Sequence, residues 1–196
     1  MTMHSFQYDP QKNALTGKHH RHSIRLQGYD YSQSGAYFVT ICTYGKEHLF
    51  GQIVHGEMCL NEFGTIVEGE WITSARIREE ISIGEYVIMP NHFHAIAIIN
   101  DESMNDYYPK NVQQPPIIPS DNTPNGSAPR SISSLMAGFK SSVTKRINQL
   151  RKMPGIPVWQ RSFHDHIIRD EEDYIRICNY IENNPLKWLD DDEYTL

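Results

Sequence analysis

Apolar residues along the chain follow two periods. Ala36–Thr43, containing Tyr37-Phe38-Val39-Thr40-Ile41-Cys42, is rich in aromatic and β-branched residues and predicts a strand. Two short strand-like pieces between Phe50 and Leu60 flank His55-Gly56, a hairpin signal. Asn61 stands where it can cap a helix running to about Arg78, with Phe63, Ile66, Val67, Trp71 and Ala75 on one side. Ile83–Met89 and His92–Ile99 predict two strands separated only by the turn residues Pro90-Asn91. Ser131 opens a second helix, whose apolar positions Ile132, Leu135, Met136, Phe139, Val143, Ile147 and Leu150 keep three-to-four spacing. Pro154 and Pro157 end it and lead into Val158–Ile168, partly a strand. Asp170 caps a third helix with Glu171, Glu172 and Asp173 in its first turn, where the helix dipole favours anions, and that helix ends at Pro185.

Strand, helix, strand, strand, helix, strand is the order of an α+β, ferredoxin-like βαββαβ sandwich. It predicts an antiparallel sheet with helices on one face, followed by one more C-terminal helix. A length of 196 residues suits a single domain with a real core. Residues 1–20 read as a loose basic arm, 21–190 as the domain and 191–196 as an acidic tail. Within the domain, Asn100–Pro129 is rich in Pro, Asn, Asp and Ser and reads as a long mobile loop.

Charge and cysteine content narrow the function classes. No apolar run reaches the ~18 residues that span a bilayer, and the polar start, Met1 to Lys18, lacks a signal-peptide core. The three scattered cysteines, Cys42, Cys59 and Cys178, form neither a disulfide framework nor a zinc knuckle. The expectation is a reduced, cytoplasmic protein in which each cysteine is a small buried hydrophobe. The net charge of −6 hides a strong asymmetry. Arg130 to Arg169 carries eight Lys/Arg against one acid, whereas Asp170 to the end carries nine acids against two bases. The basic segments could meet a polyanion while the acidic end faces away, or they could be solvated surface.

His92 and His94 lie two apart on a predicted strand, so both point to one face and Phe93 to the other. The pair fits two solvent-facing histidines beside a turn, or two ligands converging on a divalent cation. In the last helix Tyr174, Ile177, Cys178 and Ile181 form the apolar stripe. Tyr180 falls on its flank, and Asn184 at i+4 sits on the same side. A phenol and an amide so placed can serve one site, or can be an edge tyrosine and a C-cap. His164 and His166 form a second pair two apart, open to roles as ligands, DNA contacts or neither. Trp159 and Tyr37 read as core.

His92-Phe93-His94 resembles the His-hydrophobe-His signature of the HUH single-strand DNA endonucleases. Within that class the chain resembles the REP-associated tyrosine transposases, relatives of the smallest single-tyrosine insertion-sequence transposases. Arg21-His22-Ser23-Ile24-Arg25-Leu26-Gln27-Gly28-Tyr29-Asp30-Tyr31 is similar to the family's opening. Tyr37-Phe38-Val39-Thr40-Ile41-Cys42-Thr43 is similar to its first strand, and Val87-Ile88-Met89-Pro90-Asn91-His92-Phe93-His94 to its metal motif. Phe139-Lys140-Ser141 is similar to its second helix. Trp159-Gln160-Arg161-Ser162-Phe163-His164-Asp165-His166-Ile167-Ile168-Arg169 and Tyr180-Ile181-Glu182-Asn183-Asn184-Pro185 are similar to its C-terminal signature. The likeness runs from about Arg21 to Leu189, outside the arm and the long loop.

The resemblance implies metal-dependent cleavage and strand transfer on single-stranded, hairpin or repetitive DNA, as in transposition and recombination. Tyr180 would be the nucleophile, forming a 5′-phosphotyrosine, and the last helix would carry it. His92, His94 and Asn184 would hold Mg²⁺ or Mn²⁺. Arg21, Arg25, Lys140, Lys145, Arg146, Arg161 and Arg169 are the candidate DNA-binding residues. The family works as monomers or homodimers, and a cytoplasmic, nucleoid-associated location follows. Two rivals stand beside this reading. One is a non-catalytic ferredoxin-like DNA-binding module, such as a domesticated repressor. The other is a metal-dependent hydrolase that uses water rather than Tyr180.

Overall fold

The computed structural model describes residues 29–100 and 129–190. The arm at 1–20, nearly all of the 100–129 loop and the tail at 191–196 lie outside the described residues, as do Arg21 and Arg25. The elements are β1 (Gly35–Cys42), β2 (Gly51–Val54), β3 (Glu57–Leu60), α1 (Glu62–Arg76), β4 (Ile81–Ile88), β5 (His92–Ile99), α2 (Ile132–Leu150), β6 (His164–Ile168) and α3 (Glu171–Asn183). A 3₁₀ segment, Pro185–Asp190, follows α3.

The main sheet has the order β4-β5-β1-β6, and every neighbouring pair is antiparallel. This is the α+β, ferredoxin-like arrangement expected from the element order. The β2–β3 hairpin stands outside it as a separate two-stranded ribbon.

The caps form as the sequence predicts. Asn61 Oδ1 accepts from the amides of Phe63 (2.9 Å) and Gly64 (3.0 Å), and Ser131 Oγ accepts from Ser134 N. Asp170 accepts from Asp173 N at 2.8 Å ahead of three first-turn acids. Each such bond satisfies a donor that the first helical turn leaves over, worth about 1 kcal/mol.

Strand alternation divides the interior in two. Tyr37, Val39 and Ile41 of β1 and Phe93, Ala95, Ala97 and Ile99 of β5 face α1 and α2. There the Trp71 ring lies edge-on to Phe93 (5.1 Å) and Phe139 (5.2 Å). On the opposite face Ile96 and Ile98 meet Ile177 and Ile181 of α3, with Phe38 and Val87 beside them. The first two helices therefore share one face, and the last helix covers the other. β5 is buried along its whole length, which explains its nearly unbroken apolar run.

Three expectations change. Leu150 keeps the helical spacing of α2 but, as its last residue, is 47% exposed. Cys59 is exposed on β3, whereas Cys42 is buried. His92 and His94 do not face solvent, being 0% and 2% exposed.

Candidate active site

The site starts where the chain turns sharply into β5. Met89 N donates to His92 O at 2.8 Å across Pro90-Asn91, and the strand then sends His92 and His94 to the α3 face. The rings lie 4.5 Å apart. Asn91 Nδ2 donates to Lys46 O, which aims its Oδ1 at His92 Nδ1, 2.8 Å away. An amide oxygen only accepts, so the His92 proton sits on Nδ1 and the lone pair on Nε2. In the sheet register Thr40 is paired with His94, and its Oγ1 is 2.7 Å from His94 Nδ1. Tyr180 Oη lies 3.2 Å from His94 Nε2. With the phenol donating, His94 takes the same tautomer as His92. Burial, and then the neighbouring His92, hold His94 well below the usual imidazole range, so it is neutral.

Tyr180 reaches this point from the flank of α3. Its ring packs against His94 (5.1 Å) and edge-on against Phe38 (6.0 Å), and the residue is 44% exposed. Phe38 also stacks on His94 at 5.4 Å, so the three rings form a triangle. One turn later Asn184 caps the helix and is buried. Trp188 of the 3₁₀ segment packs on His92 (5.8 Å) and on His48 (5.4 Å), closing the far side.

The helix is fastened on both edges. On the β4 side a bulge at Gly84-Glu85 brings Glu85 to Tyr174 Oη (2.9 Å) and Cys178 Sγ (3.3 Å). Burial and the Glu85 bond raise the Tyr174 phenol, and the same causes push Cys178 up to about 11. Tyr174 is thus half-buried and latched rather than plain core. On the β6 side Asp173 accepts from His166 (2.7 Å) and from Arg176. His166 holds its carboxyl below the usual carboxylate range despite some desolvation.

Among the described residues no three His, Cys, Asp or Glu side chains cluster as metal ligands. The donors these residues could offer a cation are two imidazole Nε2 atoms, that of His94 once the Tyr180 hydroxyl lets it go, and the amide oxygen of Asn184. Nitrogen plus neutral oxygen is a set a divalent cation accepts, completed by water or a phosphate oxygen. Each Nδ1 is engaged and Nε2 is left as the donor atom, the arrangement by which a partner on one ring nitrogen orients the other toward a metal.

The basic candidates fall in different places. Lys140, Lys145 and Arg146 are on α2, on the opposite side of the sheet from Tyr180. Lys140 is turned inward, its Nζ donating to the carbonyls of Gln160 (2.6 Å) and Arg161 (2.9 Å). Arg146 pairs with the buried Glu70. Lys145, Arg161 and Arg169 are exposed. Thr40, Asn91, Phe38 and Trp188 were not singled out for the site from sequence. The strand brings in Thr40 and Phe38, the turn Asn91, and the 3₁₀ segment Trp188.

No protein-family model matches the chain. It is 38% identical over 178 residues to an uncharacterized protein of Haemophilus influenzae strain Rd, covering 91% of this chain and 95% of that one. A solved structure of a REP-associated tyrosine transposase bound to a REP hairpin superposes with a TM-score of 0.53. That match has 18% identity and covers 84% of this chain and 74% of that one, a likeness of fold. The protein therefore belongs to one family with the Haemophilus influenzae protein, and its fold is one that a REP-associated tyrosine transposase shares.

Proposed function

We propose that the protein is a metal-dependent, single-tyrosine DNA endonuclease and strand transferase, acting on hairpin or repetitive DNA through single-stranded segments. The observation that carries this reading is the Tyr180 hydroxyl, half-exposed on its helix, 3.2 Å from the Nε2 of a buried, neutral histidine. The fold neighbour, a tyrosine transposase bound to a REP hairpin, supports DNA as the partner.

A phosphodiester resists attack because its charge repels nucleophiles. His92, His94 and Asn184 would hold Mg²⁺ or Mn²⁺, which when bound would draw charge from a non-bridging oxygen and orient the ester. Asn91 and Thr40 fix the two imidazoles, so the donor atoms are aimed before substrate arrives. Phe38 and Trp188 exclude water from either side of the pair. Tyr180 Oη attacks phosphorus, the P–O3′ bond breaks, and a 5′-phosphotyrosine and a 3′-hydroxyl result. The phosphoester energy is retained in the new bond, so another 3′-hydroxyl can reverse the step without ATP.

The test is incubation of the full chain with Mn²⁺ and a panel of hairpin oligonucleotides bearing single-stranded flanks. A band shift that survives denaturation, mapped by mass spectrometry to Tyr180 and absent in Tyr180→Phe, is expected. Cleavage that persists in Tyr180→Phe without an adduct would instead assign a water nucleophile, and an adduct on Tyr174 would move the site.

A further inference from the structure

Breaking a P–O3′ bond places negative charge on the departing oxygen, and a proton has to reach it. The roles assigned above leave that task to another group. On the α3 face the titratable side chains are almost all engaged. His92 and His94 have Asn91 and Thr40 on Nδ1. Glu85 is held by Tyr174 and Cys178, and Asp173 by His166 and Arg176. Cys42 is buried opposite His92 in the sheet register, and His48 packs on Trp188.

His164 differs from all of these. Thr40 is paired with His94 on one side and with His164 on the other, so the three stand in one row on one face. Strands lie about 4.8 Å apart, which sets the two histidine backbones roughly 10 Å from each other. A span of that size has room for a phosphodiester between the two side chains. α3 packs on Ile96 and Ile98 of β5 and reaches Phe38 and Ile168 beside them, whereas His164 is exposed, and its side chain has no hydrogen bond or ion pair to another described residue. The titratable group next to it on this face is His166, one alternation along β6, which is bonded to Asp173 of α3, itself bonded to Arg176. Thr40 faces it from β1, and Asp165 points to the opposite face by strand alternation. His164 therefore lies at the exposed end of this row, on the side of Thr40 away from His94.

We propose that His164 is a further catalytic residue, the proton donor to the leaving 3′ oxygen. This deepens the reading above and rests on it. As Tyr180 Oη bonds to phosphorus, the P–O3′ electron pair departs on oxygen and takes the His164 imidazolium proton. The phenol proton passes to water. In rejoining, neutral His164 removes the proton of the attacking 3′-hydroxyl.

The experiment compares wild type and His164→Asn on the oligonucleotide that gives the Tyr180 adduct. The oligonucleotide is made with the natural 3′ oxygen or with a bridging 3′ sulfur, a thiolate leaving group that needs no proton. On the oxygen substrate His164→Asn should lower the rate of adduct formation by about 100-fold. On the sulfur substrate the variant should match wild type within about threefold. An unchanged rate on the oxygen substrate, or an equal loss on both, overturns the proposal while leaving Tyr180 as the nucleophile. Absence of any wild-type adduct removes the parent reading and this one with it.

Discussion

Replacing Thr40 by Val removes one hydroxyl and little else in shape. Thr40 is 9% exposed, and its Oγ1 is 2.7 Å from His94 Nδ1. Without it the Nδ1–H faces a methyl group in a buried site. Leaving a buried donor unsatisfied costs about 1–3 kcal/mol. The ring has a way out, which is to move its proton to Nε2, where the Tyr180 hydroxyl can accept it. That escape removes the lone pair a cation would use. Loss of such a partner typically weakens metal binding about 10- to 100-fold, or roughly 1.4–2.7 kcal/mol, which agrees with the hydrogen-bond figure. Calorimetric titration of the full chain with Mn²⁺ should show that weakening in Thr40→Val, with the far-ultraviolet circular dichroism unchanged. Asn184→Ala should weaken binding in the same assay by a different route, loss of a donor. If Thr40→Val lowers the unfolding midpoint but leaves Mn²⁺ affinity untouched, the hydroxyl is only satisfying a core histidine, and His94 does not bind metal through Nε2.

Three further outcomes follow from the packing. A Cβ at Gly64 would lie 2.3 Å from Phe50 O, so Gly64→Ala should destabilise by about 1–3 kcal/mol in urea titration, and an unchanged midpoint would contradict the close approach. Glu70 is buried, which by itself raises its pKa, but bonds from Ser142 and Arg146 outweigh this and hold it below the ordinary value of 4.5. Its stabilising contribution is therefore full above that value and is lost as pH falls through the lowered one; between about pH 6 and pH 3 the stability of Glu70→Gln should fall less steeply than that of wild type. Lys140→Ala should lower the thermal midpoint because two carbonyls lose their donor, whereas Lys145→Ala should not; equal effects would show that the inward tie of Lys140 contributes nothing.

Much of this was readable in the residues because it is local. Asn61, Ser131 and Asp170 announce their helices through the amides they cap. The two-residue spacing of His92 and His94 and the four-residue spacing of Tyr180 and Asn184 are properties of a strand and a helix. What the spacing could not reveal is pairing between distant segments. Thr40 meets His94 only through the β1–β5 register, and Phe38 is wedged beside Tyr180 only because α3 takes the opposite face from α1 and α2. Lys140 looks like a surface cation until the Gln160–Arg161 backbone passes over it. Leu150 obeys the helical period and is still exposed at the end of α2.

The burial of β5 on both sides makes one eight-residue strand serve two separable purposes. Its odd positions, from Phe93 to Ile99, hold the molecule together, while its leading even positions hold the reactive groups. Reactivity can therefore be retuned at positions 92 and 94 without touching the side chains that pack on α1 and α2. Frame matters more than composition here: deleting a single residue near Asn91 would exchange the two sets, putting imidazoles among the aromatic rings and Phe93 beside the tyrosine.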